Sequence, residues 1–222
     1  CGEIRVSGVV DESHFHFMKA RLHATLVTRF GESGFRIQDT IENLSAMPAE
    51  AQMLYHFNVG VPLLDAGSTL VAPSRTVVPR NAHAAAGIDG YARYRAEEAG
   101  YEEQVYFHHM HAAGNGQTQV LLKNAHSEAG VSLLYDATKL PCFSQWKDTA
   151  TVVDGYVTGI EPGTNFPNPR SFEGEQGRVI KLEGGARETL ELGVQWHRDA
   201  RSVAAAEQSV GKLAAGREPK VF

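Results

Sequence analysis

Apolar and polar residues alternate in short runs along this chain, and Gly, Pro and Asn separate the runs. Phe35-Arg-Ile-Gln-Asp-Thr-Ile41 has the period of two that marks a half-buried strand. Upstream, Phe15, Phe17 and then residues 22–27 begin a β-type stretch that ends at Phe30-Gly31, and Gly31-Glu-Ser-Gly34 supplies a hairpin turn. Further strands are predicted over residues 52–59, 69–78, 104–110, 118–122, 131–135, 152–160, 178–182 and 188–194. Gly114-Asn-Gly116 and Glu183-Gly-Gly185 are turns between pairs of these. One run, 203–215, is Ala-rich without β-branched clusters and predicts a helix. It follows the last strand and is expected to pack on the sheets or on a partner chain. About ten short strands with so little helix predict an all-β sandwich or barrel rather than alternating βα units. With no repeat and no low-complexity linker, residues 1–222 are read as a single domain, 200–222 being its helical tail.

Composition narrows the possible partners. The 222 residues are 42% apolar and 21% charged with a net charge of -5, which disfavours a surface that tracks phosphates, so no nucleic-acid partner is expected. No stretch reaches the ~20 apolar residues of a membrane span and no leader pattern is visible, so a cytoplasmic, membrane-free protein is expected. The opening Cys1-Gly-Glu-Ile-Arg-Val lacks Met and reads as a strand already under way, which suggests a truncated or processed start. Cys1 and Cys142 make neither a disulfide framework nor a zinc site; Cys142 reads as a small buried hydrophobe and Cys1 as a terminal thiol.

Three segments carry candidate chemistry. In Tyr156-Val-Thr-Gly-Ile-Glu-Pro-Gly-Thr-Asn-Phe-Pro-Asn-Pro-Arg170 an apolar strand runs into Glu161, and a loop of Pro, Gly and Asn follows. A carboxylate held by rigid backbone suits a general base, and Asn165, Asn168 and Arg170 could bond sugar hydroxyls. A solvated acid at a strand end is the plainer alternative. In Met53-Leu-Tyr-His-Phe-Asn-Val59, alternation sets Tyr55, Phe57 and Val59 on one face and His56 and Asn58 on the other. His56 could move a proton near neutrality or simply hydrogen-bond. In Leu140-Pro-Cys-Phe-Ser-Gln-Trp-Lys147, read as a loop, Trp146 could stack on an apolar sugar face and Lys147 bind a hydroxyl or carboxylate; a core Trp and a solvated Lys serve equally well. His14 with His16, and His108, His109 and His111, have spacings seen at metal sites, but no third ligand is named, so no metal is assigned.

Together these segments resemble the aldose 1-epimerase (galactose mutarotase-like) superfamily, in a branch described mainly as domains of unknown function. The matching stretches are Tyr55-His-Phe-Asn-Val-Gly-Val-Pro-Leu-Leu64, Leu140 to Lys147, Gly159-Ile-Glu-Pro-Gly-Thr-Asn165 with Arg170, and the strand Gly177-Arg-Val-Ile-Lys-Leu182. The resemblance implies a large antiparallel β-sandwich, a small-molecule sugar as substrate and no cofactor. It implies Glu161 and His56 as catalytic base and acid, with Asn58, Trp146, Lys147, Asn165 and Arg170 binding the sugar. Glu161 would take the anomeric hydroxyl proton and His56 would protonate the ring oxygen; a non-catalytic sugar-binding module on the same fold is the alternative. Two departures stand out: His56 and Asn58 are two apart where other members have four, and the family's second His, on an earlier strand, has no counterpart. A homodimer contact is offered by the C-terminal helix or an exposed sheet edge.

Overall fold

The computed structural model describes residues 2–222, so the terminal thiol expected at Cys1 lies outside the described residues. In chain order the strands are β1 (Glu3–Ser13), β2 (Lys19–Arg29), β3 (Gly34–Asn43), β4 (Ala49–Ala51), β5 (Phe57–Gly60), β6 (Thr69–Val71), β7 (Ser74–Pro79), β8 (Gln104–Met110), β9 (Gln117–Lys123), β10 (Gly130–Asp136), β11 (Cys142–Asp148), β12 (Val157–Gly163), β13 (Ile180–Leu182), β14 (Arg187–His197) and β15 (Lys220–Val221). The helices are α1 (Ala82–Ala86), α2 (Arg170–Glu175) and α3 (Ala200–Ala214).

Seven strands form one sheet in the order β1-β2-β3-β14-β10-β9-β6, and six form a second in the order β15-β7-β8-β11-β12-β5. β15 runs parallel to β7; the pairs that flank the site, β11–β12, β11–β8 and β12–β5, are antiparallel. The alternation seen in the sequence decides what lies between the sheets. Ile41, Leu133, Tyr135, Leu190, Leu192 and Val194 from the larger sheet meet Phe143 and Ile160 from the smaller, all in one buried cluster. Burying each such side chain contributes about 1.5–3 kcal/mol. Asp39 interrupts the apolar face of β3; it is buried and accepts a hydrogen bond from Tyr55 Oη at 3.0 Å, which fixes Tyr55 at the entry to β5.

Helix α3 starts at Asp199, whose side chain accepts from Ser202 N at 2.7 Å. Its Val203, Ala206 and Val210 pack on Leu121 of β9, so the tail lies on the larger sheet, and the chain then returns to add β15 to the smaller one.

Several boundaries differ from the sequence reading. Residues 140–147 are not a loop: β11 occupies Cys142–Asp148 at the centre of the smaller sheet. Glu161 is inside β12 rather than at a strand end, because Pro162 still offers its carbonyl, accepting from Tyr55 N at 2.9 Å. Residues 152–154 form a turn, so that strand begins at Val157. The stretch 69–78 is two strands in different sheets, split at Ala72-Pro73.

Candidate functional site

The outer face of the smaller sheet collects the chemistry. Across it, Asn58 on β5 pairs with Gly159 on β12, Gly159 with Trp146 on β11, and Trp146 with Val105 on β8. One step along, Glu161 pairs with Ser144 and Ser144 with Phe107. Paired residues project to the same side, so these side chains share the face turned away from the core. His56 joins them from the residue before β5, since Tyr55 and Phe57 on either side of it point inward.

Glu161 and His56 form the centre. His56 Nδ1 stands 2.8 Å from Glu161 Oε1, with the carboxylate side chain 4% exposed and the imidazole 43% exposed. The approach is off the line of the ring N–H, so Oε1 keeps no aligned hydrogen bond of its own. The other ring nitrogen, Nε2, lies 2.8 Å from Asn58 Oδ1. With Asn58 accepting from Nε2–H, the Nδ1–Oε1 contact is favourable when one proton is present between the two groups. Burial pushes the Glu161 carboxyl above its ordinary value; the neighbouring His56 charge opposes this and Glu103 reinforces it. Trp146 borders the pair, its ring 5.9 Å from the His56 ring, and its Nε1–H donates to Glu103 Oε2 at 2.6 Å. Further along the face Phe166 closes over the sheet, with ring centroids 4.6 Å from Phe107 and 5.3 Å from His109. This arrangement can hold and move a proton beside a flat aromatic wall.

Of the residues singled out in the sequence, Glu161, His56, Asn58 and Trp146 come together. Lys147 does not join them: one position from Trp146 on a strand, it points to the opposite face, where Nζ donates to the carbonyls of Gly90, Tyr91 and Arg93 at 3.1, 3.0 and 2.8 Å. Asn165 is buried and bonded locally, accepting from Thr164 Oγ1 and donating to Phe166 O, so it shapes the loop that carries Phe166. Arg170 is an exposed residue of α2 beside Glu50, Nη1 to Oε2 3.7 Å. It borders a different hollow of about 1180 Å³ lined also by Phe17, Met47 and Met53. The Asn168 amide instead bonds Glu173, whose buried carboxylate forms a two-point pair with Arg178 at 2.6 and 2.8 Å. The histidine run divides between faces, His108 inward on Ser74 and His109 outward on Phe166. Among the described residues no three His, Cys, Asp or Glu side chains converge as a metal set.

The sequence reading missed several members of this face, among them Phe107, Phe166, Gly159, Ser144 and Glu103. Gly159 and Ser144 were legible in principle, each two residues from a named one on a strand; Glu103, 43 residues from Trp146, had no local signal.

No curated protein matches the chain. Among solved structures, a proposed aldose 1-epimerase from Klebsiella pneumoniae subsp. pneumoniae is 33% identical with a TM-score of 0.96, covering 99% of this chain and 57% of that one. A galactose mutarotase-like protein from Clostridium acetobutylicum shares the fold at 12% identity and a TM-score of 0.62, covering 88% of this chain and 63% of that one. A proposed aldose 1-epimerase from Escherichia coli K12 does so at 13% and 0.58, covering 87% and 65%. The chain thus spans less than two thirds of the length of each of these structures. Among the described residues no helix is long and apolar enough to cross a membrane. A family model matches residues 1–195, and the chain therefore belongs to the family described as a domain of unknown function, DUF4432, built on the galactose mutarotase-like sandwich.

Proposed function

We propose that the chain binds a free aldose or aldose derivative on the outer face of its smaller sheet and interconverts the anomers as an aldose 1-epimerase-like isomerase. The observation that carries this reading is the His56–Glu161 pair at 2.8 Å beside Trp146. The anomeric hydroxyl oxygen and the ring oxygen are bonded to one carbon, so an acid and a base that serve them must lie close together. Ionised Glu161 takes the proton of the anomeric hydroxyl while protonated His56 gives one to the ring oxygen, and the bond from C1 to the ring oxygen breaks. The open aldehyde turns about its C1–C2 bond. Closure on the other face returns each proton to its donor, so no proton is consumed. A base whose affinity for protons is raised by burial, as at Glu161, is better matched to neutral pH than an ordinary carboxylate. Trp146 offers its ring to the C–H face of the sugar.

The test is anomer exchange followed by NMR saturation transfer, with D-glucose, D-galactose and D-xylose as probes. Acceleration by the chain that Glu161→Gln abolishes supports the enzyme reading. Sugar binding without acceleration, undiminished in Glu161→Gln, replaces it with a non-catalytic binding module; no binding and no acceleration removes both.

A further inference from the structure

Glu103 takes no part in the proton transfer proposed for Glu161 and His56. It sits just ahead of β8 with its side chain 51% exposed, where packing asks nothing of it. Yet Oε2 accepts the hydrogen bond from Trp146 Nε1 at 2.6 Å, and Arg80 Nη1 stands 3.6 Å from Oε1. Arg80 is itself held at the sheet, its backbone N donating to Val105 O at 2.9 Å, and Val105 is the cross-strand partner of Trp146. An indole on an open sheet face turns about two torsions and owns one donor, so the group that takes that donor fixes the ring. A carboxylate acceptor makes such a bond about twice as strong as a neutral one.

We propose that Glu103, braced by Arg80, is the positioning residue that holds the Trp146 indole beside His56 and Glu161, so that a bound aldose meets a fixed aromatic wall. The assignment rests on the reading of this face as a sugar site. The choice of Trp146 as the stacking surface then depends on an acid that touches neither reacting oxygen. Its negative charge also reaches Glu161, where it works in the same direction as burial.

The experiment uses the whole chain and the two tryptophans it contains. Trp196→Phe leaves Trp146 as the sole indole, and its emission maximum and acrylamide quenching are compared across Glu103→Gln, Glu103→Ala and Arg80→Met. The expected result is a red shift and stronger quenching in Glu103→Ala, and near-parent behaviour in Glu103→Gln, whose amide oxygen still accepts. Arg80→Met should fall between them. Unchanged emission and quenching in Glu103→Ala overturns the proposal, as does a Gln variant as perturbed as the Ala variant. This readout needs no substrate, so it decides the matter even if none of the probe sugars is turned over and the epimerase reading fails. With a sugar that is turned over, Glu103→Ala should raise KM about tenfold with little change in kcat, the scale of one charge-assisted hydrogen bond. A fall in kcat at constant KM counts against a positioning role.

Discussion

Gly159 lies directly beneath the Glu161 carboxylate: a Cβ at that position would overlap Glu161 Oε1 and come within 3.2 Å of His56 Cε1. The two residues are i and i+2 on β12 and share its outer face, so the missing side chain is what lets the carboxylate fold back over the strand toward His56. Gly159→Ala is therefore expected to push Glu161 off His56. Displacing a catalytic group by about 1 Å costs roughly 10²-fold in rate, while overpacking destabilises by about 1–3 kcal/mol. Anomer exchange and thermal melting measured on the same sample separate the two effects; an Ala variant with the parent exchange rate would show that this contact does not set the base.

Lys147 makes the opposite prediction. Its ammonium is buried against three carbonyls and lies 5.0 Å from the Tyr94 ring, on the inner side of the sheet from Glu161. Lys147→Met strands those carbonyls while relieving the burial of a charge, for a net loss of about 1–3 kcal/mol, and leaves KM for any sugar unchanged. Burial pushes Lys147 down to about 8 from 10.5. Between those values the unfolded chain holds the proton that the native state has released, so stability from this group rises with pH across the window and is flat below it. Urea unfolding of parent and variant at about pH 7 and about pH 9.5 should show the gap between them widening at the higher pH.

These two residues show how far the sequence carries. Alternation placed His56 and Asn58 opposite Tyr55, Phe57 and Val59, and that division holds although only Phe57–Gly60 is strand. The same rule would have parted Trp146 from Lys147, but 140–147, with Pro141 near its start, reads as a loop, and a loop has no faces. Glu161 looked like a strand terminus because Pro162 and Gly163 follow it; in the sheet Pro162 loses a donor and keeps its carbonyl bond to Tyr55. Arg170 looked like a sugar ligand by proximity in sequence, whereas its charge is answered by Glu50, 120 positions earlier. Partners of that kind are fixed by the pairing of distant strands and leave no local pattern.

His108 tests the core behind the site. It is fully buried, with Nδ1 on Ser74 Oγ at 2.9 Å and its ring edge-on to Phe143 at 5.6 Å. Burial pushes it down to about 3 from 6.5. The folded value is the lower one, so below pH 6.5 the unfolded chain gains a proton that the native state refuses, and stability falls as pH drops through the window between them. The slope from this one group approaches about 1.4 kcal/mol per pH unit. His108→Gln is less stable at neutral pH for lost packing, yet its stability should decline less steeply from about pH 6.5 to about pH 4.5. Parallel curves for parent and variant would show that His108 takes its proton while folded.

On the proposed mechanism, Glu161 sets the pH dependence of turnover. Its carboxyl is raised by burial, so the ionised base fills only above a pH higher than an ordinary glutamate requires. The acid limb of kcat should therefore lie above 4.5, the ordinary value for a glutamate, and Glu161→Gln should remove it along with the activity. The same shift carries a stability signature of opposite sense. A carboxyl whose folded value is raised contributes its stability fully at pH below the unfolded value and loses it as pH rises through the folded one. At neutral pH the ionised Glu161 is thus a burden on the fold, only partly relieved by His56, and Glu161→Gln should melt at a higher temperature than the parent. A variant that is inactive and less stable at neutral pH would mean that the His56 pair stabilises the fold more than burial of the charge opposes it. The case for Glu161 as a base tuned by burial would then fall.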